Sequence, residues 1–122
     1  MVVAVIGSRT FTDRPRLFRD LDALREKLGE FTLISGGAEG GDTFDREWAR
    51  SRNVPFEEFL PDYAKHGGVR GRAEMIRNRQ IANTTDLLIA YWNRKSRGTK
   101  ATIEMAVKAG KQVYVHHFEE SP

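Results

Sequence analysis

The sequence predicts a three-layer α/β domain, with a parallel sheet of about five strands in the order 3-2-1-4-5 and helices on both faces. Three observations predict it. Short β-branched runs alternate with amphipathic segments along the whole chain, the pattern of successive β-α-β units. The runs are continuously apolar, as in strands buried on both faces. The first run ends at a glycine, a glycine-rich turn follows the second, and right-handed crossovers then restrict the strand order.

Each element has its own signal. Val2 to Ser8 (VVAVIGS) is the first strand. Asp13 can cap the next helix, Pro15 suits its first turn, and Leu17, Leu21, Leu24 and Leu28 form an apolar stripe that Gly29 ends. Phe31 to Ser35 is the second strand. After the run from Gly36 to Gly41, a helix is expected to start at Asp42 as N-cap, with Phe44, Trp48 and Ala49 on one face. Val54 to Leu60 is the third strand, and Pro61 to Gly71 is loop. A helix from about Arg72 to Asn83, a strand from Asp86 to Trp92, a loop from Asn93 to Gly98, a helix from Thr99 to Ala109 and a strand from Gln112 to His116 complete the chain.

Size and composition bound the function. The 122 residues are one domain's worth of chain, and no repeat or linker divides residues 1–122. Cysteine is absent, which excludes disulfides and thiolate chemistry and fits a reducing compartment. No apolar run reaches the ~20 residues of a membrane span, and Val2 to Ile6 is too short for a signal peptide, so a cytoplasmic protein with no membrane partner is expected. The net charge of +3 is unevenly spread. Met1 to Ala64 holds 9 basic and 12 acidic residues, Lys65 to Lys100 holds 9 and 2, and the remainder 2 and 3. A basic segment of +7 suggests an anionic partner, although a solvated basic face gives the same count.

In sheets of this kind ligands bind beyond the carboxyl ends of the strands, near the switch between the first and fourth. Gly7, Ser8 and Arg9 follow strand one there. Gly36, Gly37, Gly40 and Gly41 follow strand two, and Ser96, Gly98 and Thr99 follow strand four. Glycine before a helix start leaves free N–H groups at the positive end of the helix dipole, a site for phosphate. The run from Gly36 to Gly41 fits neither GxxxxGK[ST] nor GxGxxG, and a tight turn alone would also explain it. Arg70 and Arg72 oppose the dipole of the helix they open, a conflict that a shared anion would resolve, and Lys65, His66 and Arg77 are further candidates. Lys65 and Arg79 are better read as solvated. Asn78 falls between Met75 and Ile81 on the apolar stripe and needs a partner there, either a backbone turn or a ligand.

Glu104, Asp42 and Glu39 are the candidate carboxylates. Asp42 is first a helix cap, and its position at the rim also suits a ribose hydroxyl. Glu104 follows Thr99 by five residues, near half a turn around the helix. His66, His116 and His117 lack metal-ligand spacing, and no metal or other cofactor is expected. Tyr91 and Trp92, beside the same loop, could stack bases if exposed, although they close an apolar strand.

Four motifs in register carry a resemblance over nearly the whole chain: Gly7-Ser8-Arg9, Ser35 to Asp42, Arg77-Asn78-Arg79 and Ser96-Arg97-Gly98-Thr99. Together they resemble the SLOG superfamily of Rossmann-like domains, and within it the small stand-alone YspA/YpsA-related branch. Two other branches are similar in different places. The DNA-processing protein A family, which binds single-stranded DNA, shares the GSR start, the SGxAxGxD segment and the RNR helix. The cytokinin-activating phosphoribohydrolases carry PGGxGTxxE where this chain keeps Gly98-Thr99, lacks Pro-Gly-Gly and has its glutamate displaced to Glu104.

The resemblance implies a Rossmann-like domain that binds a nucleotide or nucleotide-derived, phosphate-containing ligand, and a homo-oligomer. Gly36 to Gly41 and Gly98-Thr99 would hold phosphate, Arg9, Arg72 and Arg77 would neutralise it, and Asn78 would fix ribose or the loops. Hydrolysis of a nucleoside phosphate's N-glycosidic bond, with Glu104 or Asp42 as carboxylate, is the implied enzymatic extension. A single-stranded nucleic-acid-binding module is the alternative.

Overall fold

The computed structural model describes residues 1–36, 41–65 and 71–120, with residues 41 and 42 described at the backbone only. Nine elements follow in chain order: β1 (Val2–Gly7), α1 (Arg14–Leu28), β2 (Thr32–Ser35), α2 (Gly41–Ser51), β3 (Phe56–Glu58), α3 (Arg72–Thr84), β4 (Leu87–Trp92), α4 (Arg97–Lys108) and β5 (Gln112–His117). All sheet pairings are parallel, in the order β3-β2-β1-β4-β5, and the arrangement is a Rossmann-like α/β fold.

Alternation along the central strands sorts the core into two layers, because successive side chains leave opposite faces of a sheet. Val3, Val5, Leu33, Leu87, Ile89 and Tyr91 pack with Leu17 and Leu21 of α1 and Trp48 of α2. Ala4, Ile6, Ile34, Leu88 and Ala90 pack with Ile81 and Ala82 of α3 and Ala106 of α4. Burying both faces explains the unbroken apolar runs of β1 and β4. Leu17 and Leu21 are fully buried and Leu24 packs against the layer, whereas Leu28, placed on the same stripe by the sequence, is exposed in the last turn of α1.

Local signals set the helix ends. The Asp13 carboxylate accepts from the Arg16 N–H at 3.1 Å, and Gly29, at φ 80°, closes α1. Two starts differ from the sequence expectation. α2 begins at Gly41, which puts Asp42 inside the first turn rather than at the cap. α4 begins at Arg97 because Ser96 caps it, its hydroxyl accepting from the Thr99 N–H at 3.3 Å. Gly98 and Thr99 therefore lie within the first turn of α4. The third strand shrinks to Phe56–Glu58, as its edge position has only β2 to pair with.

An aromatic cluster closes the sheet on the α1 side. Tyr91, fully buried, stacks on Phe11 at 4.3 Å and on His116 at 5.1 Å, and its hydroxyl donates to Asp20 at 2.9 Å. Burial, then the Asp20 charge, pushes the Tyr91 phenol well above its ordinary range. Burial also holds His116 below its ordinary value of 6.5, with Asp20 opposing and Arg16 adding to the effect.

The folded protein thus binds a proton at His116 less readily than the unfolded chain. Stability is expected to fall as pH drops below about 6.5 and to level off below the folded-state pKa. Urea unfolding at a series of pH values checks this, and His116→Phe should remove that part of the slope.

Candidate functional site

A cleft of about 240 Å³ opens beyond the carboxyl ends of β1 and β2, on the side covered by α3 and α4. Ile6, Gly7, Arg9 and Gly36 come from the strand ends, Glu74, Arg77, Asn78 and Ile81 from α3, and Ser96, Gly98, Thr99 and Thr102 from α4. A larger open groove of about 1250 Å³ lies across the ends of β1, β4 and β5. It mixes Arg16, Arg94 and Lys95 with Asp13, Glu119 and Glu120, and Glu120 is already bound to Thr10 and Asn93. The smaller cleft is the candidate site, because the sequence motifs converge there.

The helix period decides which side chains of α3 reach it. Positions 74, 77, 78 and 81 share one face. The Arg77 guanidinium donates from Nη1 to the Gly36 carbonyl and from Nε to Asn78 Oδ1, the latter at 2.7 Å. Asn78 is half-buried, and its Oδ1 accepts from the adjacent Arg77 rather than from a backbone turn. Met75, assigned to the same stripe, is exposed. A Cβ on Gly36 would stand 2.8 Å from Arg77 Nη1, so glycine is what lets the guanidinium close over the end of β2.

The floor of the cleft is a hydroxyl network. Ser8 Oγ, buried, donates to Asn93 Oδ1 at 3.3 Å and lies 3.5 Å from Thr99 Oγ1, which is 3.0 Å from Ser96 Oγ. Asn93 Oδ1 also accepts from the N–H groups of Lys95 (2.9 Å) and Ser96 (2.8 Å). The Thr99 N–H is taken by Ser96 Oγ, and Lys100 makes the first bond back to the Ser96 carbonyl.

The predicted residues divide clearly. Gly7, Arg9, Gly36, Arg77, Asn78, Ser96, Gly98 and Thr99 line the cleft, and Ser8 supports it from below. Arg72 opens α3 but is exposed and outside the lining. Glu104 is also outside it, on the exposed face of α4, 3.9 Å from Lys100. Counting from Gly98-Thr99, the glutamate of PGGxGTxxE falls on Thr102, whose hydroxyl donates to the Gly98 carbonyl at 2.9 Å. Gly37, Glu39, Gly40, His66 and Arg70 lie outside the described residues, as do the side chain of Asp42 and the surroundings of Gly41. Tyr91 is fully buried and Trp92 donates its indole N–H to the Ser96 carbonyl, so this pair forms no exposed stacking platform. Among the described residues no group of His, Asp or Glu is placed to hold a metal ion, and no helix is long and apolar enough to cross a membrane.

Glu74 is the carboxylate that sequence reasoning missed. It sits in the first turn of α3, and its Oε1 accepts from the Tyr63 hydroxyl at 3.0 Å. Its own backbone N–H, then Tyr63, then the charges of Arg77 and Arg9 hold its pKa below the usual carboxylate range. The bond to Glu74 in turn raises the Tyr63 phenol. A signal was present: Glu74 and Asp86 are the two acids of the +7 segment, and Asp86 accepts from the Val2 N–H, at the opposite end of the strands.

Fold and cleft together define a Rossmann-like α/β protein with polar and cationic groups gathered at the carboxyl end of its sheet. Residues 1–66 match the YspA, cpYpsA-related SLOG family (YAcAr), and the chain belongs to that family. Among solved structures it is similar to DNA processing protein A from Helicobacter pylori, described by its single-stranded DNA binding mode. That similarity has a TM-score of 0.73 and 22% identity, over 99% of this chain and 68% of that one. The C-terminal domain of a hydrogenase from Pyrococcus furiosus is similar at a TM-score of 0.54 and 13% identity, over 94% of this chain and 90% of that one. No curated protein sequence matches the chain.

Gly36→Ala is expected to displace the Arg77 guanidinium, because the added methyl takes its place, while changing stability by no more than about 0.5 kcal/mol, since a flexible side-chain end can move. Gly98→Ala, whose Cβ would meet Asn78 at 4.0 Å, should leave the guanidinium in place and stabilise the protein by about 0.4–1 kcal/mol, as at any helical position with room for a Cβ. Arginine side-chain NMR resonances and urea unfolding read the two effects.

Proposed function

We propose that the protein binds a nucleotide or nucleotide-derived ligand in the cleft between β1, α3 and α4, with a phosphate at the N-terminus of α4. The observation that carries this reading is that Arg77, Arg9 and Ser96 line the same cleft as Gly98 and Thr99 of the first turn of α4. With the Thr99 and Lys100 amides engaged, those of Arg97 and Gly98 remain for an anion, at the positive end of a twelve-residue helix. Arg77 supplies the countercharge, and Gly98 lets a ligand approach the backbone closely.

N-glycosidic hydrolysis would need a carboxylate beside the ribose, and the exposed, Lys100-paired position of Glu104 does not favour it in that role. Asp42 stays a proposal from sequence. The alternative of single-stranded nucleic acid binding is supported by the +7 segment and by similarity to DNA processing protein A. The burial of Tyr91 removes one of its two proposed stacking rings.

Calorimetry and thermal shift against nucleoside mono- and diphosphates test the reading. A ligand at 100 times its dissociation constant is expected to add about 2.7 kcal/mol of stability. Arg77→Ala should weaken binding by about tenfold or more, the effect of losing a charge-assisted hydrogen bond, and Glu104→Gln should leave it unchanged. No binding by any of these nucleotides would refute the proposal. Oligonucleotide binding that weakens steeply between roughly 50 and 200 mM salt would favour the alternative.

A further inference from the structure

The cleft carries both signs of charge, which restricts what it can hold. Arg77 and Arg9 supply the positive side, and Glu74 of α3 brings a carboxylate to the same lining. Oε1 of that carboxylate is bonded to Tyr63, whereas Oε2 is screened from water and meets no hydrogen-bond donor. A buried carboxylate oxygen without a donor is costly, and native structures rarely leave one so. Placement in the first turn of α3 favours a negative charge but gives Oε2 no side-chain donor. Arg77 directs Nη1 and Nε to Gly36 and Asn78 instead.

A phosphate cannot fill this place, because it would set two anions side by side. An uncharged donor can, reaching Oε2 when a turn about the Glu74 side-chain torsions brings it from its screened position to the cleft that the residue lines. A carboxylate whose lone pairs serve Tyr63 and its own backbone N–H still has acceptor sites for two hydroxyls. We propose that Glu74 is a specificity-determining residue that accepts hydrogen bonds from the vicinal diol of a ribose whose phosphate lies at the N-terminus of α4. This inference rests on the nucleotide reading above and deepens it: the ligand class is a ribonucleotide, and a 2′-deoxy compound lacks one of the two donors.

Titration calorimetry with AMP and 2′-deoxy-AMP is the test. The wild-type protein is expected to prefer AMP by at least about tenfold, the effect of one hydrogen bond to a charged group. Glu74→Gln should reduce that preference to within about threefold and weaken 2′-deoxy-AMP less than AMP, since the remaining 3′-hydroxyl also loses its charged acceptor. Tyr63→Phe, at an exposed position, should lower the preference by a smaller factor, and it keeps the test decisive where Glu74→Gln does not fold. AMP binding that Arg77→Ala weakens, but with no preference over 2′-deoxy-AMP, overturns the role of Glu74 and leaves the nucleotide reading standing. An undiminished preference in the folded variants also overturns it. If neither compound binds but another nucleoside phosphate does, its ribo and 2′-deoxy forms carry the same test; if none binds, both readings fall together.

Discussion

The Asn93 side chain is the junction on which the carboxyl end of the sheet depends. Its Oδ1 accepts from two backbone N–H groups of the loop after β4 and from Ser8 after β1, while Nδ2 donates to Thr10 and to Glu120. One amide therefore joins the β1 loop, the β4 loop and the chain after β5. An Asx turn of this kind folds the backbone back within two residues, and here it delivers Ser96 to the cap position of α4. Ser96 then orients Thr99, and the hydroxyls of Ser8, Ser96 and Thr99 form one connected surface. The first turn of α4 faces the cleft because of this chain of contacts. Thr10 and Asn93 together hold the Glu120 carboxyl below its usual range, so the far side of the junction is anchored by a charged acceptor.

How much of this was legible follows from the range of the forces involved. The sheet order was readable because burial on both faces leaves an unbroken apolar run, and the β-α alternation fixes the crossovers. The α1 cap was readable because Asp13 acts three residues away. The α4 cap was not placed correctly, since Gly98-Thr99 is a conspicuous pair and Ser96 becomes the cap only when Asn93 turns the loop. Leu28 and Met75 lay on apolar stripes in sequence and are exposed in the fold, because a stripe persists only as far as something packs against it. The same limit hid Glu74. Its position in a helical first turn explains it locally, and only the approach of Tyr63 from the preceding loop and of Arg77 one turn along gives it a second meaning.

Charge shows the largest gap between composition and geometry. The segment from Lys65 to Lys100 carries nine basic residues, yet Arg77 alone among the described ones lines the cleft, joined by Arg9 from outside the segment. Arg72 and Arg79 are exposed on other faces of α3, and Arg94 and Lys95 belong to the larger groove. A helix shows one face in about 100° of arc, so a basic sequence segment disperses when it folds. The net charge of the segment is thus a poor measure of the cleft, and among the described residues two arginines set against one glutamate describe it better.

That balance also separates the two candidate ligand classes by physical argument. A groove for a nucleic-acid strand gains from uniform positive potential and exposed rings, because each added phosphate releases counterions. This cleft is small, bounded by Ile6 and Ile81, and of mixed sign, and the Tyr91 ring is committed to the core on the other face of the sheet. Such a site discriminates by placing donors and acceptors where only one end of a ligand is anionic, since a carboxylate beside a phosphate is repulsive and beside a hydroxyl is attractive. A compact molecule with a phosphate at one end and hydroxyl groups at the other satisfies both sides of the cleft at once, whereas a repeating polyanion satisfies only one.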